Sequence, residues 1–330
     1  MPRPTHTIAD VPPIMVLPLD LPPLWDEHVN EPGFYLAVAQ MTSGANWKPV
    51  QVWWRDEYRD YELLTVVGQP ATIGFIPEAE AFATGVDDST YELVSSVDVH
   101  VPGPNALASV TQAQADAGQN WAAIGSADGW EIIKFQDVTA TAEDDVFTIS
   151  KIHRGQRGTD ELISDGAKGL LVMLDRATIH FVRLNRGHIG KEFRFKAAMD
   201  GADIANAPEI RATLDGNSLK PFRPRNLGGT RNASNDLTIS WVPQSRYRLK
   251  PLASGLDDDL ANISGFTIEI LDAPGGNILR TIEAAAGDRS ATYTAAQQTT
   301  DGLTPGNPVD VRVVAKSSLF VRGKPVEGQI

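Results

Sequence analysis

Ile152-His153-Arg154-Gly155-Gln156-Arg157-Gly158-Thr159-Asp160 is a basic, glycine-punctuated stretch that closes on a threonine–acid pair. Apolar segments lead into it. Ala122-Ala123-Ile124-Gly125 and Gly129-Trp130-Glu131-Ile132-Ile133-Lys134-Phe135 flank a short turn, and Val146-Phe147-Thr148-Ile149-Ser150 follows a polar gap. Short runs rich in Ile, Val and Phe, bounded by Gly and Asp, predict strand, turn, strand, then a loop over 152–160. Glycine reaches positive φ without strain, so Gly155 and Gly158 are the expected turning points. Arg154 and Arg157 admit two readings. Each guanidinium fork docks a carboxylate or carbonyls of a neighbouring subunit, or each pins the loop to acidic groups of its own domain. The internal clamp is favoured, which makes Arg154, Gly155, Arg157, Gly158 and Thr159 a structural motif.

The same alternation runs through much of the chain. Strands are expected at 34–40, 50–55, 61–67, 71–75, 90–94, 98–101, 131–135 and 146–150. In Val50-Gln51-Val52-Trp53-Trp54-Arg55 a period of two sends Val50, Val52 and Trp54 to one face and Gln51, Trp53 and Arg55 to the other. One helical stretch stands out, Ser109–Ala117, with Asn105 or Ser109 as its cap and Gly118 as its stop. Beyond the basic loop, Leu170–Leu174 and Thr178–Val182 read as two strands joined across Asp175-Arg176, and Glu192–Ala197 as a third. The fold class is all-β. High Gly (28) and Pro (22) between short runs fit that class.

Residues 200–219 are rich in Ala, Asn, Asp and Gly, and Pro221-Phe222-Arg223-Pro224 reads as a linker, which divides the chain into 1–219 and 220–330. The second part repeats a clean alternation in Asp236-Leu237-Thr238-Ile239-Ser240-Trp241, Gly265–Leu271 and Val309–Ala315. That order resembles a fibronectin type III domain, a β-sandwich. The resemblance makes Trp241 the core tryptophan of the second strand and Arg322-Gly323-Lys324-Pro325-Val326 the lead into the last. Leu303-Thr304-Pro305 matches the family before its sixth strand, but Val309 stands where the corner tyrosine belongs.

Composition excludes several classes. A net charge of −13 is the wrong sign for a nucleic-acid or anionic-lipid partner, and suits a soluble protein at high copy number. With no cysteine, disulfides and thiolate metal sites are impossible. Neither a signal peptide nor a membrane-spanning run is read, so the expectation is a soluble protein made in the cytoplasm. His6, His28, His100, His153, His180 and His188 show no metal-ligand spacing. Gly125-Ser126-Ala127-Asp128-Gly129 suits a hairpin turn, not a nucleophile elbow. Asp87-Asp88, Glu143-Asp144-Asp145 and Asp257-Asp258-Asp259 do not fit a calcium loop and read as solvated turns. No catalytic residue, cofactor or metal is expected. Trp53, Trp54 and Trp25 are candidates for a contact surface, a partner protein ahead of a stacked sugar.

The order Glu131-x-x-x-Phe135 followed by Leu/Ile-x-Arg-Gly-x-Arg-Gly-Thr-acid resembles a segment of tail-tip hub (megatron-like) proteins of long-tailed phages and gene transfer agents. Leu19-Asp20-Leu21-Pro22-Pro23-Leu24, then Pro32-Gly33-Phe34-Tyr35-Leu36-Ala37-Val38-Ala39, is similar to the start of their fibre-binding region. Trp47–Tyr61 resembles the next, aromatic-rich hairpin, and a type III-like domain ends the series. The resemblance implies a virion structural protein, not an enzyme. Its implied role is to anchor tail fibres or receptor-binding proteins to the upper hub or distal tail protein, as a homotrimer on the tail axis. The glycosidase-like and ring-forming domains of longer members are not visible in these residues, so their cell-wall chemistry is not carried over. The alternative is a secreted carbohydrate-binding module accessory to a polysaccharide-degrading enzyme.

Overall fold

The computed structural model describes residues 14–41, 47–77, 91–102, 106–126, 129–163, 169–199, 201–246, 263–318 and 322–330. These residues are almost entirely β and fall into two compact units. The first comprises the described residues of 1–21 and 33–215, the second 22–32 and 216–330.

The first unit is a sandwich with a barrel inserted in it. Its sandwich strands are β1 (Ile14–Leu19), β2 (Gly33–Gln40), β3 (Val50–Arg55) and β4 (Glu62–Val67), then, after the barrel, β11 (His180–Arg183), β12 (Lys191–Met199) and β13 (Ile210–Leu214). They form two sheets, β1-β2-β11 and β13-β12-β3-β4. Val16, Phe34, Leu36 and Val38 of one meet Val50, Val52, Phe193 and Phe195 of the other in a shared core. At ~25 cal/mol per Å² of apolar surface, burying each such side chain contributes about 1.5–3 kcal/mol.

The barrel comprises β5 (Ile73–Ile76), β6 (Glu92–His100), β7 (Trp121–Ser126), β8 (Gly129–Ala140), β9 (Val146–Gln156) and β10 (Gly169–Met173). It is closed in the order β10-β5-β6-β9-β8-β7, because β10 pairs with β5 along one edge and with β7 along the other. Closure leaves no free strand edge. Val97, Val99, Ile124, Ile133, Phe135, Ile149, Ile152 and Leu171 fill its interior.

Several local expectations change. The runs 90–94 and 98–101 belong to one strand, β6, whose register shifts between Glu92 and Ser96; a bulge, not a turn, interrupts the pattern. Thr90 lies outside the described residues. Residues 152–156, expected in a loop, continue β9. The strands at 170–174 and 178–182 are not partners: β10 closes the barrel, whereas β11 pairs with β2. The first helix, α1, is only Gln112–Asp116. Thr111 caps it in a capping box with Gln114, since Ser109 is engaged with the Val138 carbonyl (3.0 Å). Gly118 follows at φ 110°. Asn105 lies outside the described residues.

The second unit is a fibronectin type III-like sandwich of β14 (Arg225–Arg231), β15 (Leu237–Val242), β16 (Ile263–Leu271), β17 (Ile278–Ala285), β18 (Ser290–Tyr293), β19 (Asp310–Ser317) and β20 (Arg322–Gln329). Three strands, β14-β15-β18, face four, β17-β16-β19-β20. Trp241, fully enclosed, packs on Phe266 at 5.2 Å between ring centres. Val309 pairs through its backbone with Ile330, and the corner before β19 is held by another tyrosine. Tyr293 donates to Asp301 (2.7 Å), which also receives Arg280 (2.7 and 2.8 Å). A second short helix, α2 (Ala295–Thr300), was not expected; Thr294 and Gln297 cap it as a box. The 221–224 stretch carries no strand, yet Phe222 is buried.

Candidate functional site

The motif of residues 152–160 is a clamp inside the barrel. Strand alternation puts Glu131 on the same face as Ile133 and Phe135, and Arg154 on that of Ile152, so both charges turn inward. Arg154 is wholly buried, and its Nε and Nη2 donate to the two Glu131 oxygens at 2.7 and 2.5 Å. The Gly155 N–H adds a third bond to the same carboxylate (2.9 Å). Burial pushes the Glu131 carboxyl up; Arg154 and the Gly155 N–H oppose that, and Glu92 adds to it.

The backbone makes room for this. Between Lys134–His153 and Ile132–Gln156 the register slips, and Gly155 takes φ 60° at the slip. A Cβ there would lie 2.8 Å from the Asp160 Cα. Arg157 and Gly158 follow at φ 59° and 72°, turning the chain. Thr159 closes it, accepting from the Ile132 N–H and donating to the Gln156 carbonyl, both at 2.8 Å. Arg157 itself is half-buried. Spacing along the sequence does not assign Glu131 to Arg154; the barrel pairing of β8 with β9 joins them.

Trp53 and Trp54 separate as alternation requires. Trp54 packs against the sandwich core, stacked on Phe193 at 5.0 Å and edge-on to His188. Trp53 lies on the outer face of the β13-β12-β3-β4 sheet, opposite Lys196 and Leu63. Around it stand Arg55, Arg194, Arg211 and Tyr61, tied together by Glu209. The Tyr61 hydroxyl donates to Glu209 at 2.7 Å, while Arg55 and Lys196 sit 5.1 and 5.5 Å from the Tyr61 ring centre. Tyr61 first, then Arg55, Arg194 and Arg211, hold the Glu209 carboxyl below its ordinary range. Sequence reading placed Trp53 and Arg55 on this face but missed Arg194 and Arg211, which come from two further strands that meet β3 only through long-range pairing. Trp25 lies edge-on to His28, in the second unit.

The remaining candidates are scattered. Half-buried His180 lies on β11 opposite Leu36, His100 on β6 opposite Phe75, and His153 beside Tyr91. Burial lowers the His180 imidazole. Glu143, Asp144 and Asp145 form a turn before β9, with Asp145 at φ 62°. Ala127 and Asp128, the pair Asp87-Asp88, the triplet Asp257-Asp258-Asp259, and His6 lie outside the described residues. Among the described residues no group of three or more His, Asp or Glu is placed to hold a metal ion, and no helix is long and apolar enough to cross a membrane.

Residues 71–173 match the model of a family described as Rcc01698-like, C-terminal, which is associated with gene transfer agents. The match runs from just before β5 to the end of β10, the extent of the barrel. No curated protein matches the chain. Among solved structures it is similar to the central fibronectin-III array of RIM-binding protein. Identity is 10%, coverage 78% of this chain and 68% of that one, with a TM-score of 0.21.

Proposed function

We propose that this chain is a structural protein of the tail tip of a phage-like particle. The part up to about Leu219 attaches fibres or receptor-binding proteins, and the type III-like sandwich extends it. The chemistry is assembly rather than catalysis: the outer face of the β13-β12-β3-β4 sheet presents aromatic and cationic side chains. One observation carries this reading, the coincidence of the family match over 71–173 with the barrel that the Arg154–Glu131 clamp holds together. The ordered resemblances at 19–39, 47–61 and in the C-terminal sandwich extend it along the chain. Partners on this reading are an upper hub or distal tail protein and the fibres, around a threefold axis.

Immunogold labelling of particles purified from the source, with an antibody against this chain, tests the reading. Label at the tail end opposite the capsid is the expected result; unlabelled particles with the protein free in the medium would sink it. Cross-linking within labelled particles should give trimers, and monomers alone would remove the threefold axis. A second reading rests on the outward Trp53 ring: a carbohydrate-binding module, for which unlabelled particles and protein retained on glycan would be the signature.

A further inference from the structure

The outer face of the β13-β12-β3-β4 sheet departs from a rule that sheet surfaces usually keep. Arg55, Arg194 and Arg211 are direct register partners across three neighbouring strands. Like charges placed opposite one another destabilise a sheet. Glu209 offsets part of this, lying 3.4 Å from Arg55, 4.0 Å from Arg194 and 3.1 Å from Arg211. Glu192 is the second carboxylate, 3.5 and 3.9 Å from Arg194 and Arg211. With Lys196 added, four cations meet two carboxylates, 4 − 2 = +2, on a chain of net charge −13. Residues 56–62, next to Arg55, add Asp56, Glu57, Asp60 and Glu62 against Arg59, so the positive excess belongs to the arginine row itself.

The next rows of the same face, Lys196–Trp53–Leu63 and Ala198–Gln51–Val66, mix polar and apolar side chains. Trp53 stands between Lys196 and Leu63, and Gln51 pairs with Val66. Leu63 and Val66 keep 48% and 50% of their surface exposed. A sequence that places a row of arginines beside the exposed Leu63 and Val66 on one sheet face is spending stability there.

We propose that this face docks an acidic segment of another protein. Its carboxylates engage the Arg55–Arg194–Arg211 row, and an apolar side chain next to them covers Trp53, Leu63 and Val66. This rests on the docking role proposed above for the existence of a partner. Charge complementarity selects the acidic segment, because guanidinium forks match carboxylates in two-point contacts. The exposed Leu63 and Val66 favour a protein over a sugar, since aliphatic side chains offer a glycan no hydrogen bond. Trp, Tyr and Arg are also the residue types that dominate protein interfaces.

The test places a photo-reactive benzoylphenylalanine at Val66 of the full-length chain, made in the source cells and irradiated there. Mass spectrometry of the product is expected to identify a peptide of another protein carrying two or more Asp or Glu within a few residues of an apolar side chain. Arg194→Glu with Arg211→Glu should lower the cross-link yield at least about tenfold. Leu63→Glu, which leaves the ion pairs untouched, should do the same if the double variant fails to fold. A cross-link to a glycan, to a basic or neutral peptide, or to nothing overturns the inference, as does a yield that neither variant changes. Irradiation in cells does not depend on particles. A labelled tail tip without a cross-link therefore defeats this inference alone, and a cross-link with unlabelled particles defeats the tail-tip reading alone.

Discussion

Arg154 has no exposed surface, and Glu131 answers its charge with both oxygens. Removing one partner of such a pair strands a desolvated charge, at a cost of ~3–5 kcal/mol. Arg154→Met and Glu131→Gln should each lower the unfolding free energy measured in urea by that much. Replacing both by Met should cost less than either alone, because a well-packed apolar pair needs no countercharge. A double-mutant cycle showing simple additivity would mean that the pair is not coupled. Gly155 makes an independent case: Ala at φ 60°, against the Asp160 backbone, should cost more than about 1 kcal/mol. Gly187→Ala, with nothing within 4 Å of the added Cβ, should stay within ~0.5 kcal/mol. The two glycine turning points were legible because only glycine takes positive φ cheaply. Arg157, also at positive φ, carried no such sign.

Where the two faces of a run contrast, the strand was readable; β1, one face buried but interrupted by Pro18, was not. In β3 the alternation of Val50, Val52 and Trp54 against Gln51 and Trp53 places one tryptophan on Phe193 and the other outside. Trp54→Ala should therefore cost roughly 2 kcal/mol of half-buried aromatic surface, and Trp53→Ala under ~1 kcal/mol. Equal losses by thermal denaturation would contradict the assignment of faces. Elements without that contrast escaped. β13 sits in Ala- and Asp-rich sequence and alternates weakly; the last strand was expected, but Arg322–Val326, read as its lead, already belongs to β20, where Gly323 and Pro325 are tolerated at the edge of the sheet. α2 spans six residues, too few for a 3.6-residue period to show. Partners were less legible still. Leu170–Leu174 and Thr178–Val182 are near in sequence, yet one closes a barrel and the other joins a different sheet, a choice made by distant β7 and β2. The same holds for the arginine row, which exists only once β3, β12 and β13 are paired.

At the scale of the molecule there are two compact units with separate cores, the barrel and sandwich cores in the first and the Trp241 core in the second. The Arg154–Glu131 pair of the first unit and the Arg280–Asp301 pair of the second are buried charge arrangements that respond to pH differently. In the second unit Asp301, 8% exposed at its side chain, is held below its ordinary carboxyl value by Arg280 and then by the Tyr293 hydroxyl, against burial. A carboxyl depressed in the folded state stabilises fully above its unfolded pKa and loses that contribution as pH falls through the folded one. The second unit should thus weaken from about pH 4 downward, and Asp301→Asn should flatten that slope while lowering stability at pH 7. Arg154→Met should act on the first unit at either pH. Differential scanning calorimetry at pH 7 and pH 3 is expected to resolve two transitions, one moved by Arg154→Met and the other by Asp301→Asn. A single transition lowered by both variants would show the cores melting as one cooperative body, and the division into units would then describe geometry but not energetics.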